Sequence, residues 1–139
     1  MKAHLTAKSR KAPSKPMQEL HKRGLLVGRL LDFGCGKGFD RDYFKMEGYD
    51  PHYSKEFPKG KFDTITCNYV LNVLANDEEV LKVVTTLKGL LAVGGTCYVT
   101  IRRDILKEGK TCKGTIQRNI VLDLPVLKEN KSFCTYILK

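Results

Sequence analysis

The chain has 139 residues, 42% of them hydrophobic, and a formal net charge of +10. That length suits one domain that buries about two thirds of its unfolded surface without metal or disulfide staples. No apolar run approaches the roughly 20 residues of a membrane span and the N-terminus has no apolar secretory core, so a cytoplasmic protein without membrane contact is expected.

The charge is uneven. Residues 1–31 hold eight Lys/Arg and one acid, whereas residues 32–61 are balanced. A basic arm of this kind either neutralises phosphates or is a solvated tail. The five cysteines, 35, 67, 97, 112 and 134, are odd in number and form no CxxC pair. They read as reduced thiols, and no metal site is expected.

Residues 1–13 read as a basic flexible lead and 14–139 as a single domain. The first helix starts at Ser14 as N-cap, places Met17, Leu20 and His21 on one face, and ends at Gly24. GRLLDF is a short apolar strand, followed by a glycine turn and a brief helix from Phe39. MEGYD is a very short strand, and PHYSKEFPKGK is loop. KFDTITCNY alternates Phe62, Thr64 and Thr66 against Asp63, Ile65 and Cys67, as a strand does. Asn76 caps a helix from Asp77 to about Ala92, with Val80, Leu81, Val84, Leu87 and Leu91 on one side, stopped by Gly94-Gly95. TCYVTIRR, GTIQRNIVLDL and SFCTYIL are the remaining strands, the last two separated by a loop with Pro125 and Asn130. Alternating strands and helices predict an α/β fold, a mostly parallel sheet with an antiparallel C-terminal edge.

In such a sheet ligands bind beyond the carboxyl ends of the strands. Gly34-Cys35-Gly36-Lys37-Gly38 lies there, with Asp32 two residues before the first glycine. Glycines leave no Cβ between backbone and ligand, and free N–H groups at a helix start suit an anionic group. The spacing is G-x-G-x-G, not the G-x-G-x-x-G of dinucleotide sites, which argues against a nicotinamide dehydrogenase.

These residues resemble a family. DFGCGKG (32–38) is similar to the first motif of class I S-adenosylmethionine (SAM)-dependent methyltransferases. EGYDPHY (47–53), FDTITCNYVLNVL (62–74) and GLLAVGGTCYVTI (89–101) resemble later family segments in the right order. The nearest resemblance is to methyltransferases associated with DNA phosphorothioation and related phage and bacterial proteins. The resemblance implies a minimal Rossmann-like fold, SAM as cofactor, and methyl transfer. It implies cofactor contacts from Asp32, Gly34, Cys35, Gly36, Gly38, Asp50, Pro51, His52 and Asn68, with Asp50 holding the ribose hydroxyls. Asp50 before Pro51 is also a turn former, and Cys35 also fits a small turn filler. Asn68, Tyr69 and His52 are the catalytic candidates, each equally readable as a core or loop residue.

Only twelve residues, 51–62, separate Asp50 from Asp63. Family members place a helix, a third strand and an adenine-binding acid there, so one usual strand is expected to be missing. The loop itself, through Pro51, His52 and Tyr53, is then left to hold adenine. No N-P-P-Y signature and no Pro-Cys nucleophile is present. Lys8, Arg10, Lys11, Lys15, Arg102 and Arg103 flank the open end of the sheet, which favours a nucleic acid acceptor. A catalytically silent SAM-binding module within a larger complex, with a protein partner, and a small-molecule methyltransferase are the alternatives.

Overall fold

A computed structural model describes residues 11–105, 109–110 and 116–139. Helix α1 (Lys15–Lys22) leads into β1 (Leu30–Phe33), α2 (Phe39–Tyr43), β2 (Glu47–Tyr49) and β3 (Phe62–Asn68). A 3-10 turn, Leu71–Val73, precedes α3 (Asp77–Leu90) and β4 (Leu91–Arg102). The two-residue strands β5 (Gly109–Lys110) and β6 (Ile116–Gln117) pair as a separate ribbon, and β7 (Val126–Glu129) and β8 (Phe133–Leu138) close the chain.

The main sheet runs β2-β1-β3-β4-β8-β7. β1, β2, β3 and β4 pair in parallel, and β8 joins β4 antiparallel, with β7 at that edge. Among the described residues nothing pairs outside β2, so the expected loss of a strand is observed. Arg29 anchors the loop that takes its place. Its guanidinium grips Glu47 through Nε (2.7 Å) and Nη2 (2.9 Å), donates to the Lys59 carbonyl at 2.8 Å, and lies 4.2 Å over the Phe62 ring.

Side-chain alternation gives the sheet two apolar faces. Leu31, Phe33, Ile65, Cys67, Val99 and Ile101 share one core with Val80, Leu87 and Leu90 of α3. Met17 and Leu20 of α1 pack with Met46 and Tyr98 in the other. α3 starts where Asn76 Oδ1 accepts from Glu79 N at 2.9 Å, and three acids in its first turn complement the helix dipole.

Several expectations need correcting. Leu81 and His21 are exposed. Gly94 and Gly95 do not stop α3; the helix ends at Leu90, and both lie in the irregular start of β4, where the pairing register with β3 shifts. Gly94 is explained by its φ of +77°, and Gly95 by close backbone approach, since a Cβ there would come within 2.8 Å of the Phe62 carbonyl oxygen. The penultimate strand is Val126–Glu129, not the 114–124 stretch. Pro125 has no N–H to give a ladder, and pairing begins just after it. Ahead of it, Ile120, Leu122 and Leu124 lie against the core outside any strand. No described helix is long and apolar enough to cross a membrane.

Candidate functional site

β1 ends in Asp32-Phe33, and the chain turns at once. Gly34 N and Cys35 N donate to the Tyr49 carbonyl at 2.7 and 3.0 Å, which ties the glycine loop to β2. Gly34, Gly36 and Gly38 take φ of +84°, +56° and +88°. At Gly34 the requirement is also steric, because a Cβ would stand 2.3 Å from Val70 Cγ2. α2, which follows, has only five residues. Its aligned dipole is correspondingly small.

Asp50 closes the loop from the other side. Its Oδ2 accepts from Gly36 N at 3.0 Å, and its Oδ1 accepts from His52 N (2.9 Å) and Tyr53 N (3.1 Å). The turn-forming reading of Asp50 is thus observed: it shapes the turn before Ser54, and its other oxygen ties that turn to the glycine loop. Arg41 braces the same junction from below, its Nη1 donating to Ser54 Oγ at 2.7 Å and lying 3.9 Å from Cys35 Sγ. Burial pushes the Cys35 thiol up, so it is a poor nucleophile.

Asp32 is buried beneath the loop and accepts from Thr66 Oγ1 at 3.0 Å. Desolvation, reinforced by the negative Asp40, raises its pKa to about 7. Asp40 is itself buried and accepts from Ser14 N (3.0 Å) and Ser14 Oγ (2.8 Å). Ser14 therefore stands at the N-cap position without capping by its side chain, since its hydroxyl is spent on Asp40.

At the end of β3, Tyr69 adopts φ +61°, a left-handed conformation unusual for an aromatic residue, and its N–H donates to the Thr100 carbonyl at 2.8 Å. Asn68 precedes it. Both polar atoms of its amide are buried and have no hydrogen-bond partner among the described residues. Asn72, in the 3-10 turn, is fully buried, and its Nδ2 donates to Gln117 Oε1 at 2.9 Å while its Oδ1 has no partner among the described residues.

These parts surround one cavity of about 800 Å³. Asp32, Gly34, Cys35, Gly36, Gly38, Asp50, Pro51, His52, Asn68 and Tyr69 all line it. Tyr53 does not; its ring packs edge-on to His52, 4.6 Å between centroids. Lys15 and Arg102 reach the rim, Arg102 paired with Asp104 at 2.8 Å. Arg103 is turned inward, donating to the Ile120 carbonyl (2.8 Å), Tyr136 Oη (2.5 Å) and Glu129 (3.1 Å). Lys11 is exposed, and Lys8 and Arg10 lie outside the described residues. Sequence reasoning missed Asp40, Arg41, Asn72 and Gln117. The N-x-x-x-N spacing of Asn68 and Asn72 hinted at the third; the others are brought in by the fold.

Comparison with known proteins agrees with this architecture. Solved structures of the same fold include DhpI in complex with SAH (TM-score 0.62, 12% identity, covering 88% of this chain and 81% of that one). Others are the N-methyltransferase NodS from Bradyrhizobium japonicum WM9 with S-adenosyl-L-homocysteine (SAH; 0.55, 13%, 88% and 82%) and magnesium protoporphyrin IX methyltransferase from Synechocystis PCC 6803 with bound SAM (0.53, 15%, 89% and 76%). No curated protein sequence matches the chain. The family described as Methyltransferase domain matches residues 5–119, which takes in the glycine loop, Asp50, the end of β3 and Gln117, and the chain belongs to that family.

Proposed function

We propose that this chain is a SAM-dependent methyltransferase whose acceptor is a small molecule held in the same cavity as the cofactor. The observation that carries the reading is the joint enclosure of the glycine loop, Asp50 and the unpartnered Asn68 amide around about 800 Å³. That volume lies within the roughly 300–1,000 Å³ of ligand pockets.

The residues fit the cofactor. A carboxylate offers about four acceptor sites. In Asp50 three are taken by backbone N–H groups, which leaves Oδ2 able to accept a ribose hydroxyl. Gly34 and Gly36 give backbone approach to the methionine part, Asp32 supports the loop beneath it, and Asn68 supplies an amide donor and acceptor. Pro51 and His52 line the end left to adenine. SAM brings an already activated methyl group, so the protein's tasks are to align the acceptor and exclude water.

A nucleic acid acceptor is the second reading, favoured by the net charge of +10 and the exposed Lys11 and Lys15. Against it, Arg103 is committed inside the fold and Arg102 to Asp104. The small-molecule nature of magnesium protoporphyrin IX, named for one structural relative, also supports the first reading.

Calorimetry with SAM and SAH tests the cofactor site. Wild type is expected to bind both, and Asp50→Ala to bind at least about tenfold more weakly, the loss of one hydrogen bond to a charged group. Absence of binding to folded wild type sinks the reading. Methyl transfer from labelled SAM to small amines and phenols, against oligonucleotides, then separates the two acceptors. Binding without transfer to any acceptor would instead favour a silent module.

A further inference from the structure

We propose that Asn72, oriented by Gln117, is the recognition group for the methyl acceptor, and that it selects a neutral group donating N–H or O–H on an apolar body. The inference rests on the methyltransferase reading and names the acceptor chemistry of that site. Asn72 is 0% exposed, lines the cavity, and leaves its Oδ1 without a donor. A buried carbonyl oxygen left unpaired is costly, so a ligand that donates to it is strongly preferred over one that does not.

Gln117 fixes which end of the amide points inward. Its Oε1 accepts from Asn72 Nδ2 at 2.9 Å, which leaves Oδ1 as the unpaired end of the amide. The ribbon carrying Gln117 is held on this turn by the adjacent Arg118, whose N–H donates to the Asn72 carbonyl at 2.7 Å. Gln117 is thus a positioning residue.

The surroundings set the ligand's charge and shape. The cavity lining holds four bases against five acids, Lys82, Arg102, Glu79 and Asp104 among them, so it carries no net positive charge. A carboxylate or phosphate would face the negative end of the Asn72 carbonyl dipole with no net positive charge to hold it. Val73, Leu74 and Val83 supply an apolar wall beside the amide. A carboxamide or the amide edge of a heterocycle meets these requirements.

Benzamide and benzoate, alike in shape and different in charge, are the probes, titrated into the full chain with side-chain amide signals followed by NMR. Benzamide should shift the Asn72 and Gln117 amide signals and bind at least about tenfold more tightly than benzoate. Asn72→Leu should abolish that preference. Gln117→Met, at a half-buried position, should weaken benzamide severalfold, and Gln117→Glu, which keeps an acceptor for Asn72 Nδ2, should restore it. SAH affinity, read by calorimetry, should stay within about twofold in all three variants. Equal binding of benzoate, no binding of benzamide, or an unchanged preference in both Asn72→Leu and Gln117→Met overturns the inference. If Asn72→Leu fails to fold, the Gln117 pair decides. A wild type that binds benzamide but not SAH would overturn the cofactor reading and leave the amide site standing.

Discussion

Ser14 donates both its backbone N–H and its hydroxyl to Asp40, one to each carboxylate oxygen, at 3.0 and 2.8 Å. The pair joins residues 26 positions apart and fastens the start of α1 to the helix behind the glycine loop. Ser14→Ala should lower stability by about 1–3 kcal/mol, as expected for a buried hydrogen bond to a charged group. Urea unfolding checks this. A double-mutant cycle with Asp40→Asn should return a coupling of similar size, and near-zero coupling would mean that the hydroxyl is idle.

Gly34 carries two separate constraints, and they can be pulled apart. Gly34→Ala should destabilise through its φ of +84°, about 1–2 kcal/mol, and through collision with Val70 Cγ2. Adding Val70→Ala removes the collision and leaves the backbone penalty. The double variant should therefore recover part of the lost stability, measured by thermal or urea midpoint. Full recovery would show that the left-handed conformation is not required.

Asp32 predicts an unusual pH profile. Its folded pKa is raised from 3.8 to about 7, so the folded chain binds a proton that the unfolded chain releases between those values. The stability from this group is fully present below pH 3.8 and is lost as pH rises through about 7. Asp32→Asn should flatten the profile and exceed wild type in stability at pH 8, on the order of a few kcal/mol. Urea midpoints at pH 5 and pH 8 test it. A wild-type profile no steeper than that of the variant would show that the carboxyl titrates in the ordinary range.

Arg103 should matter to stability and not to polyanions. Its side chain is 18% exposed and holds the Ile120 carbonyl, Tyr136 and Glu129 together. Arg103→Met should cost about 1–3 kcal/mol, because buried acceptors lose their donor. Retention on heparin and its salt slope should be unchanged. A clearly shallower slope would return Arg103 to the phosphate-contacting set and revive the nucleic acid reading.

The parallel half of the fold was legible because each part had a local cause. Leu30–Phe33 is a short apolar run, the three glycines mark a turn, and Asn76 announces α3 as its cap. The loss of a strand followed from the family resemblance taken with the spacing, since residues 51–62 are too few for the helix and strand that family members place there. The C-terminal third was less legible. Residues 116–124 and Val126–Glu129 have similar β-branched content, and only the missing N–H of Pro125 and the pairing with β8 separate them. At the site, the glycines and Asp50 carried their own signal. Asp40 and Gln117 did not, because a side chain that works across 26 or 45 positions leaves no periodicity to read.

The clasp that Arg29 makes with Glu47 and the Lys59 carbonyl bears on how this protein meets its own copies. A sheet that stops at a three-residue strand would ordinarily offer a template on which another chain could continue it. Here the border strand carries a bidentate charge pair, Arg29 on Glu47, and the same guanidinium holds the following loop at the Lys59 carbonyl; charge placed at a sheet border discourages the addition of a further strand.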